Sequence, residues 1–230
     1  MRIVHPPPAE ASVAEAYSAP LGGPHDGRPW VQLCMVSSLD GSTVVDGTSG
    51  ALSSPNDTAV LAQLRSLAEV VLVGAGTAAG EGYGPPKTPG QRIGVVTRSG
   101  SVDLDTDLYR SGAGFVVTTT QTDIDTDGFE GDLDVIRAGD DDVDLVEAVT
   151  QIGHRFGARV IQAEGGPRLN AALAEADLID ELALTTSPGI VAGDGPRLTR
   201  GGSPTERAYE LVQLAIDDDQ FVFQRWRRRR

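Results

Sequence analysis

Short apolar runs alternate with amphipathic stretches from Trp30 almost to the end of the chain. The run "WVQLCMVS" (30–37) precedes a helix-like stretch over 54–67, which is followed by "EVVLVG" (69–74), "RIGVVT" (92–97), "GFVVTT" (114–119) and "LDVIRA" (133–138). A second helical stretch over 142–156 leads to "ARVIQAE" (158–164), a third spans 168–176, and "DELALTTS" (180–187) and "QFVFQRW" (220–226) close the series. Strands in alternation with helices predict an α/β fold, with a mostly parallel sheet covered by helices on both faces.

Two helices follow from their ends. Ser54 is a natural N-cap, Pro55 suits the first helical position and Asp57 suits the positive first turn. Val60, Leu61, Leu64 and Leu67 then make one apolar stripe. In the second, Asp140-Asp141-Asp142 favours the entry, Leu145, Val149, Ile152 and Phe156 share a face, and Gly157 provides the stop. Residues 1–28 hold five of the 14 prolines and read as a loosely ordered arm before a single domain over 29–230.

Two junctions carry glycines between a strand and a helix. The first, Gly74-x-Gly76-x-x-x-Gly80, approaches the spacing of a dinucleotide-binding loop. A Rossmann unit also needs a full crossover helix and an acid at the end of the next strand. Here Tyr83-Gly84-Pro85-Pro86 stops any helix after about two turns, because proline removes a donor and restricts the residue before it. The next strand ends in Thr97-Arg98-Ser99, where a guanidinium between two hydroxyls suits a 2′-phosphate; a solvated Arg at a strand end is the other reading. The second junction, Glu164-Gly165-Gly166-Pro167, exposes backbone amides at a helix start and suits a pyrophosphate.

Charge and cysteine usage remove several function classes. The chain has 33 acidic against 19 basic residues, a net charge of −14 that opposes nucleic acid and anionic membranes. Fourteen of the acids lie in 101–150 against Arg110 and Arg137, a pattern that predicts a solvated outer face. Lys87 is the sole lysine. Cys34 excludes an internal disulfide and, within "WVQLCMV", reads as a buried apolar thiol. No apolar run reaches the roughly 18 residues of a membrane span, and the proline-rich start lacks a signal-peptide core. A cytoplasmic protein is expected, without a metal site.

The segments "MVSSLDGST" (35–43), "LRSLAEVVLVGAGTAAGEGYGP" (64–85), "VIQAEGGPRLNAALAEADLIDEL" (160–182) and "TTSPGIVAGDGPRL" (185–198) resemble the pyrimidine reductase family of riboflavin biosynthesis. The likeness runs over about 29–226 in the family's order. It implies a dihydrofolate-reductase-like fold with a mostly parallel mixed sheet, NADPH as cofactor, a homodimer, and hydride transfer to C1′ of a ribosylaminopyrimidine phosphate through an open-chain imine. By this resemblance Gly74, Gly76, Thr77, Gly165 and Gly166 lie along the cofactor, the last two often joined by a cis peptide, with Thr97, Arg98 and Ser99 at its adenosine phosphate. Ser37, Tyr83, Arg65 and Arg197 are implied for the substrate, and Asp40 and Glu164 for catalysis. A carboxyl raised by burial makes a sensible proton source for an imine. As simpler roles, Asp40 is a turn residue, Glu164 a cap or ion-pair partner, and Arg65 a solvated residue beside its helix stripe.

The family's usual basic residue after Ser-x-Asp-Gly is Ser42 here, and its Asp-Asp-Pro is replaced by Glu81-Gly82-Tyr83-Gly84-Pro85. The zinc deaminase that often accompanies this reductase is excluded, since it needs several cysteines. Two other functions stay open: a same-fold reductase of dihydrofolate or another pterin or pyrimidine, and a nucleotide-binding protein without catalysis. For the dimer, "DELALTTSPGIV" and "FVFQRW" are the expected contributors near a sheet edge.

Overall fold

The computed structural model describes residues 1–5 and 9–230. In chain order its strands are β1 (Arg2–His5), β2 (Ala9–Glu10), β3 (Trp30–Ser37), β4 (Val70–Gly74), β5 (Arg92–Val96), β6 (Gly114–Thr118), β7 (Asp134–Arg137), β8 (Val160–Ala163), β9 (Glu181–Thr186), β10 (Tyr209–Ile216) and β11 (Val222–Arg228). The helices are α1 (Val13–Ala16), α2 (Pro55–Ser66), α3 (Ala75–Gly80), α4 (Asp107–Arg110), α5 (Leu145–Phe156) and α6 (Pro167–Glu175). The strands form one sheet in the order β2-β1-β10-β11-β9-β3-β8-β4-β5-β6-β7. Every pairing from β9 to β7 is parallel, while β11, β10, β1 and β2 add on antiparallel. This is the expected mostly parallel, mixed sheet.

The central strands are mostly apolar because both faces are covered, with Gln32 of β3 and Gln162 of β8 buried among them. Along β4, Val70 and Leu72 pack with Val149 and Ile152 of α5 and Leu169 and Leu173 of α6. The alternate residues Val71 and Val73 face the opposite layer with Leu108 and Tyr109 of α4. On that same side α2 lays Val60 and Leu64 against Cys34, Ala183 and Phe223.

Ser54 caps α2 by accepting from the Asp57 amide at 3.1 Å, with Pro55 in the first turn. Helix α5 begins later than expected. Its cap is Asp144, which accepts from the Val146 and Glu147 amides, rather than the Asp140–Asp142 run. Gly157 ends it at φ 63°, a left-handed position that glycine adopts without strain.

The loosely ordered arm expected over 1–28 is a correction: wherever it is described outside 6–8, much of it is tied to the body. Strand β1 pairs with β10, a strand the sequence pattern missed. Ser12 and Glu15 form a reciprocal capping box on α1, and Tyr17 is buried against Arg225. Prolines 6–8 lie outside the described residues. A second correction concerns the proposed edge segments. Strands β9 and β11 are interior to the sheet rather than at its edge, and Phe223 is fully buried, whereas Leu182, Leu184, Phe221 and Trp226 are half-buried and Ile190 is exposed.

Candidate functional site

The site lies where β3, β4 and β8, all parallel, end at one edge of the sheet, as ligand crevices do in open α/β sheets. Beyond β4 the chain turns through Gly74 into α3, and beyond β8 it turns through Gly165-Gly166 into α6. The two turns are stitched together by the Gly74 amide donating to the Gly165 carbonyl at 2.7 Å. A Cβ on Gly166 would stand 2.4 Å from Thr77 Oγ1, so any side chain there would have to displace the Thr77 hydroxyl. The Gly165–Gly166 bond is cis. A cavity of about 570 Å³ opens here, with Gly76, Thr77 and Gly166 on one wall and Arg65, Tyr83 and Glu164 on another.

Glu164 is the hub of a hydrogen-bond cluster. It accepts from Arg65 Nε at 2.6 Å and Arg65 Nη2 at 2.5 Å, from the Tyr83 hydroxyl at 2.5 Å, and from Gln162 Nε2 at 2.7 Å. Gln32 extends the cluster under α2, donating to Gln162 Oε1 at 3.3 Å and to the Leu64 carbonyl at 3.1 Å. The Arg65 guanidinium also stands 5.3 Å from the centre of the Tyr83 ring. Hydrogen bonding to Glu164 pushes the Arg65 pKa up. Burial, followed by the charge of Glu164, pushes Tyr83 up. Of the two roles open for Glu164 and Arg65, the ion pair is the one observed. Two donors from Arg65 and one each from Tyr83 and Gln162 occupy both oxygens of Glu164.

Asp40 is corrected as a proton source. It stands outside the cavity lining, where it accepts from the Ser38 hydroxyl at 2.5 Å and from the Val191 and Ala192 amides at 3.1 and 2.9 Å. These bonds, led by that from Ser38, pull its pKa down to about 2, the opposite of what a proton donor needs. Its work is to latch the 38–42 turn to the 187–197 loop, with the Leu39 amide donating to the Gly189 carbonyl beside it.

Other expected site residues are off the cavity. Ser37 is buried within the sheet and its carbonyl accepts from the Ser187 amide. Arg197 is exposed and packs over Gly41, although its neighbour Pro196 lines the cavity. Thr97, Arg98 and Ser99 follow β5, next to β4 on the same edge. Thr97 is buried, whereas Arg98 is mostly exposed, with its guanidinium 3.4 Å from Asp142 and its carbonyl accepting from the Thr122 hydroxyl at 2.8 Å.

The cavity also holds residues that sequence reasoning did not assign to a site. Asp57, Cys34, Thr43, Ser53 and Thr58 line it, as does Lys87. Lys87 makes no ion pair among the described residues, so it is the cation at the cavity whose charge is not already committed. Asp57 escaped notice because an acid in a first helical turn has an ordinary explanation; its side chain is nevertheless buried. No helix is long and apolar enough to cross a membrane among the described residues.

Comparison with known proteins agrees with this geometry. The chain resembles the pyrimidine reductase-like protein of Corynebacterium diphtheriae, with TM-score 0.77 and 23% identity over 88% of this chain and 92% of that one. It resembles riboflavin biosynthesis reductase Rib7 of Saccharomyces cerevisiae at TM-score 0.71 and 19% identity, over 94% and 97% of the two chains. The dihydrofolate reductase of Enterococcus faecalis superposes at TM-score 0.52 and 16% identity over 87% and 97%, so the fold is dihydrofolate-reductase-like as expected. Of the deaminase/reductase from Thermotoga maritima the chain spans 57%. No curated protein matches it. The model of the RibD C-terminal domain matches residues 29–223, nearly the whole chain. The two glycine turns, the Glu164 cluster between them and that match have one conclusion: the chain belongs to the RibD C-terminal domain family.

Proposed function

We propose that the chain is an NADPH-dependent reductase of riboflavin biosynthesis that reduces a ribosylaminopyrimidine phosphate by hydride transfer to C1′ of its ribose-derived imine. The observation that carries this reading is the strand-end cavity into which both glycine turns and the Glu164–Arg65–Tyr83 cluster open, in a member of this family. When bound, the reduced nicotinamide supplies the hydride. The chain's own residues supply position. Gly76 has open space around it, and a side chain on Gly166 would displace the Thr77 hydroxyl, so glycines at both places suit a dinucleotide lying along the two turns. Glu164 holds Arg65 and Tyr83 in one orientation, so the substrate meets a rigid polar wall rather than mobile side chains. Lys87, with its uncommitted charge, is the cation we assign to the substrate phosphate, in place of the tied Arg65 and the outlying Arg197. Family likeness is the support for a homodimer and for a cytoplasmic location.

The reading is tested by NADPH oxidation with the ribosylaminopyrimidine phosphate and with dihydrofolate side by side. Higher kcat/KM on the former is expected; the reverse order would move the chain to a pterin substrate. No turnover with either would make it a nucleotide-binding protein.

Cofactor choice makes a second prediction. Arg98 is exposed at the strand edge beside the glycine turns and its contact with Asp142 is long and solvated, so it is free to swing to a 2′-phosphate. Hydrogen bonds to charged groups contribute roughly 1.5–3 kcal/mol. Arg98→Ala is therefore expected to weaken NADPH by about tenfold or more and leave NADH unchanged, read by fluorescence titration. Equal loss for both cofactors would refute the assignment.

A further inference from the structure

Reduction of an imine asks for a proton near the nitrogen, because a protonated imine takes hydride far more readily. Of the carboxyls that line the cavity, Glu164 is saturated by Arg65, Tyr83 and Gln162, and Glu81 is exposed and accepts from the Ser49 amide. Asp57 is the third. It is only 8% exposed, and the Ser53 hydroxyl donates to its Oδ2 at 2.6 Å. Thr185 of β9 also bonds to it, and no cation is among the groups acting on it. The capping of α2 is done by Ser54, so the carboxyl is not needed there. A desolvated carboxyl without a cation is costly to keep charged, and in a ligand cavity its protonated form can donate to an acceptor the ligand brings.

We propose that Asp57 is a catalytic residue, its carboxyl meeting the nitrogen bonded to the reacting carbon and giving it a proton as hydride arrives; this rests on the functional reading above. The Asp57 O–H bond breaks and an N–H bond forms at the imine nitrogen. Hydride from the reduced nicotinamide forms the new C–H bond at C1′, and the carbon–nitrogen double bond becomes single. Two electrons pass from cofactor to substrate, and Asp57 recovers its proton from water once product leaves. Burial supports this role by pushing the Asp57 pKa up, against the hydrogen bonds from Ser53 and Thr185. Tyr17 and Cys34 of β3 feel its charge, and Arg65 and Glu164 line the same cavity. Both Tyr17 and Cys34 are pushed up by their own burial, so neither competes as an acid near neutrality.

The experiment compares wild type with Asp57→Asn. The substitution is expected to lower kcat by about 100-fold, the usual size of a general-acid contribution, with NADPH affinity within twofold of wild type. The wild-type kcat/KM should fall as pH rises through the raised Asp57 value, and this limb should vanish in the variant. A merely structural carboxyl would leave that profile in place. A variant with kcat within threefold of wild type and an unchanged profile overturns the proposal. Calorimetric titration with 5,6-diaminouracil separates it from the substrate assignment. If wild type does not turn over the ribosylaminopyrimidine phosphate, that reading falls, yet tenfold weaker diaminouracil binding by the variant keeps Asp57 as the contact to the pyrimidine nitrogen. Equal binding removes it.

Discussion

Glu164→Gln is expected to lower kcat by on the order of 100-fold while changing NADPH affinity little. The carboxylate is almost wholly buried and takes four hydrogen bonds, two of them from Arg65. An amide of the same shape keeps one acceptor oxygen and turns an N–H toward donors. Either Arg65 or Gln162 then faces a donor with its own donor, and Arg65 loses the opposite charge that orients it. Charge-assisted bidentate pairs are the stronger class of hydrogen bond, so their loss frees both the Arg65 and Tyr83 side chains. Positioning within a fraction of an ångström is what such a wall supplies, and small misplacements cost large factors in rate. Tyr83→Phe removes one hydroxyl from the same hub and should cost less, on the order of tenfold. Steady-state kinetics with a thermal melt checks this. A Glu164→Gln enzyme that is folded and within threefold of wild-type kcat would show that the cluster only holds the fold together.

Asp180→Ala is expected to destabilise the fold by about 3–5 kcal/mol, the penalty for stranding a buried charge. Asp180 has no exposed side-chain surface. It accepts from Arg28 Nη1 and Nη2 at 2.7 and 2.9 Å, from the Val31 amide at 2.8 Å and from Arg230 at 2.6 Å, and it contacts His25 Nε2 at 2.9 Å. Without it, buried Arg28 keeps only the Pro29 carbonyl among the described residues. At about 2–4 °C per kcal/mol for a domain of this size, the melting temperature should drop by roughly 6–20 °C. Burial pushes the Asp180 pKa up, but the Arg28 and Val31 hydrogen bonds outweigh it and the value is lowered. Its contribution to stability is therefore present above the ordinary carboxylate pKa and is lost as pH falls through the lowered folded value. The gap between wild-type and variant melting temperatures should narrow in acid for that reason. Asp26→Asn, at an exposed contact to the same His25, should leave the melt unchanged. An Asp180→Ala protein melting within about 2 °C of wild type would refute the argument.

Much of the central sheet was legible in the residues. The inner parallel strands β4, β5 and β6 are short apolar runs, and a strand covered on both faces leaves that mark whatever its neighbours are. Ser54-Pro55 located the start of α2, and Tyr83-Gly84-Pro85-Pro86 the brevity of α3, since both effects act within one turn of chain. Strand β10 was missed because its half-buried surface makes no clean apolar run in "YELVQLAI". The order of the arm was missed because its anchor partners, β10 and Arg225, are some two hundred residues away in the chain.

The site divides in the same way. By itself the sequence determined the glycine turns and the family likeness, because residue type and local spacing are enough for each; of the carboxyls it offered Asp40 and Glu164 and passed over Asp57. Which carboxyl is free was decided by the tertiary structure alone. Asp40 meets the amides of Val191 and Ala192, Glu164 meets Arg65 some hundred residues away, and Asp57 meets only hydroxyls. The availability of a proton depends on burial and on partners within a few ångströms, and those are set by how the strands are ordered in the sheet rather than by neighbours in the chain.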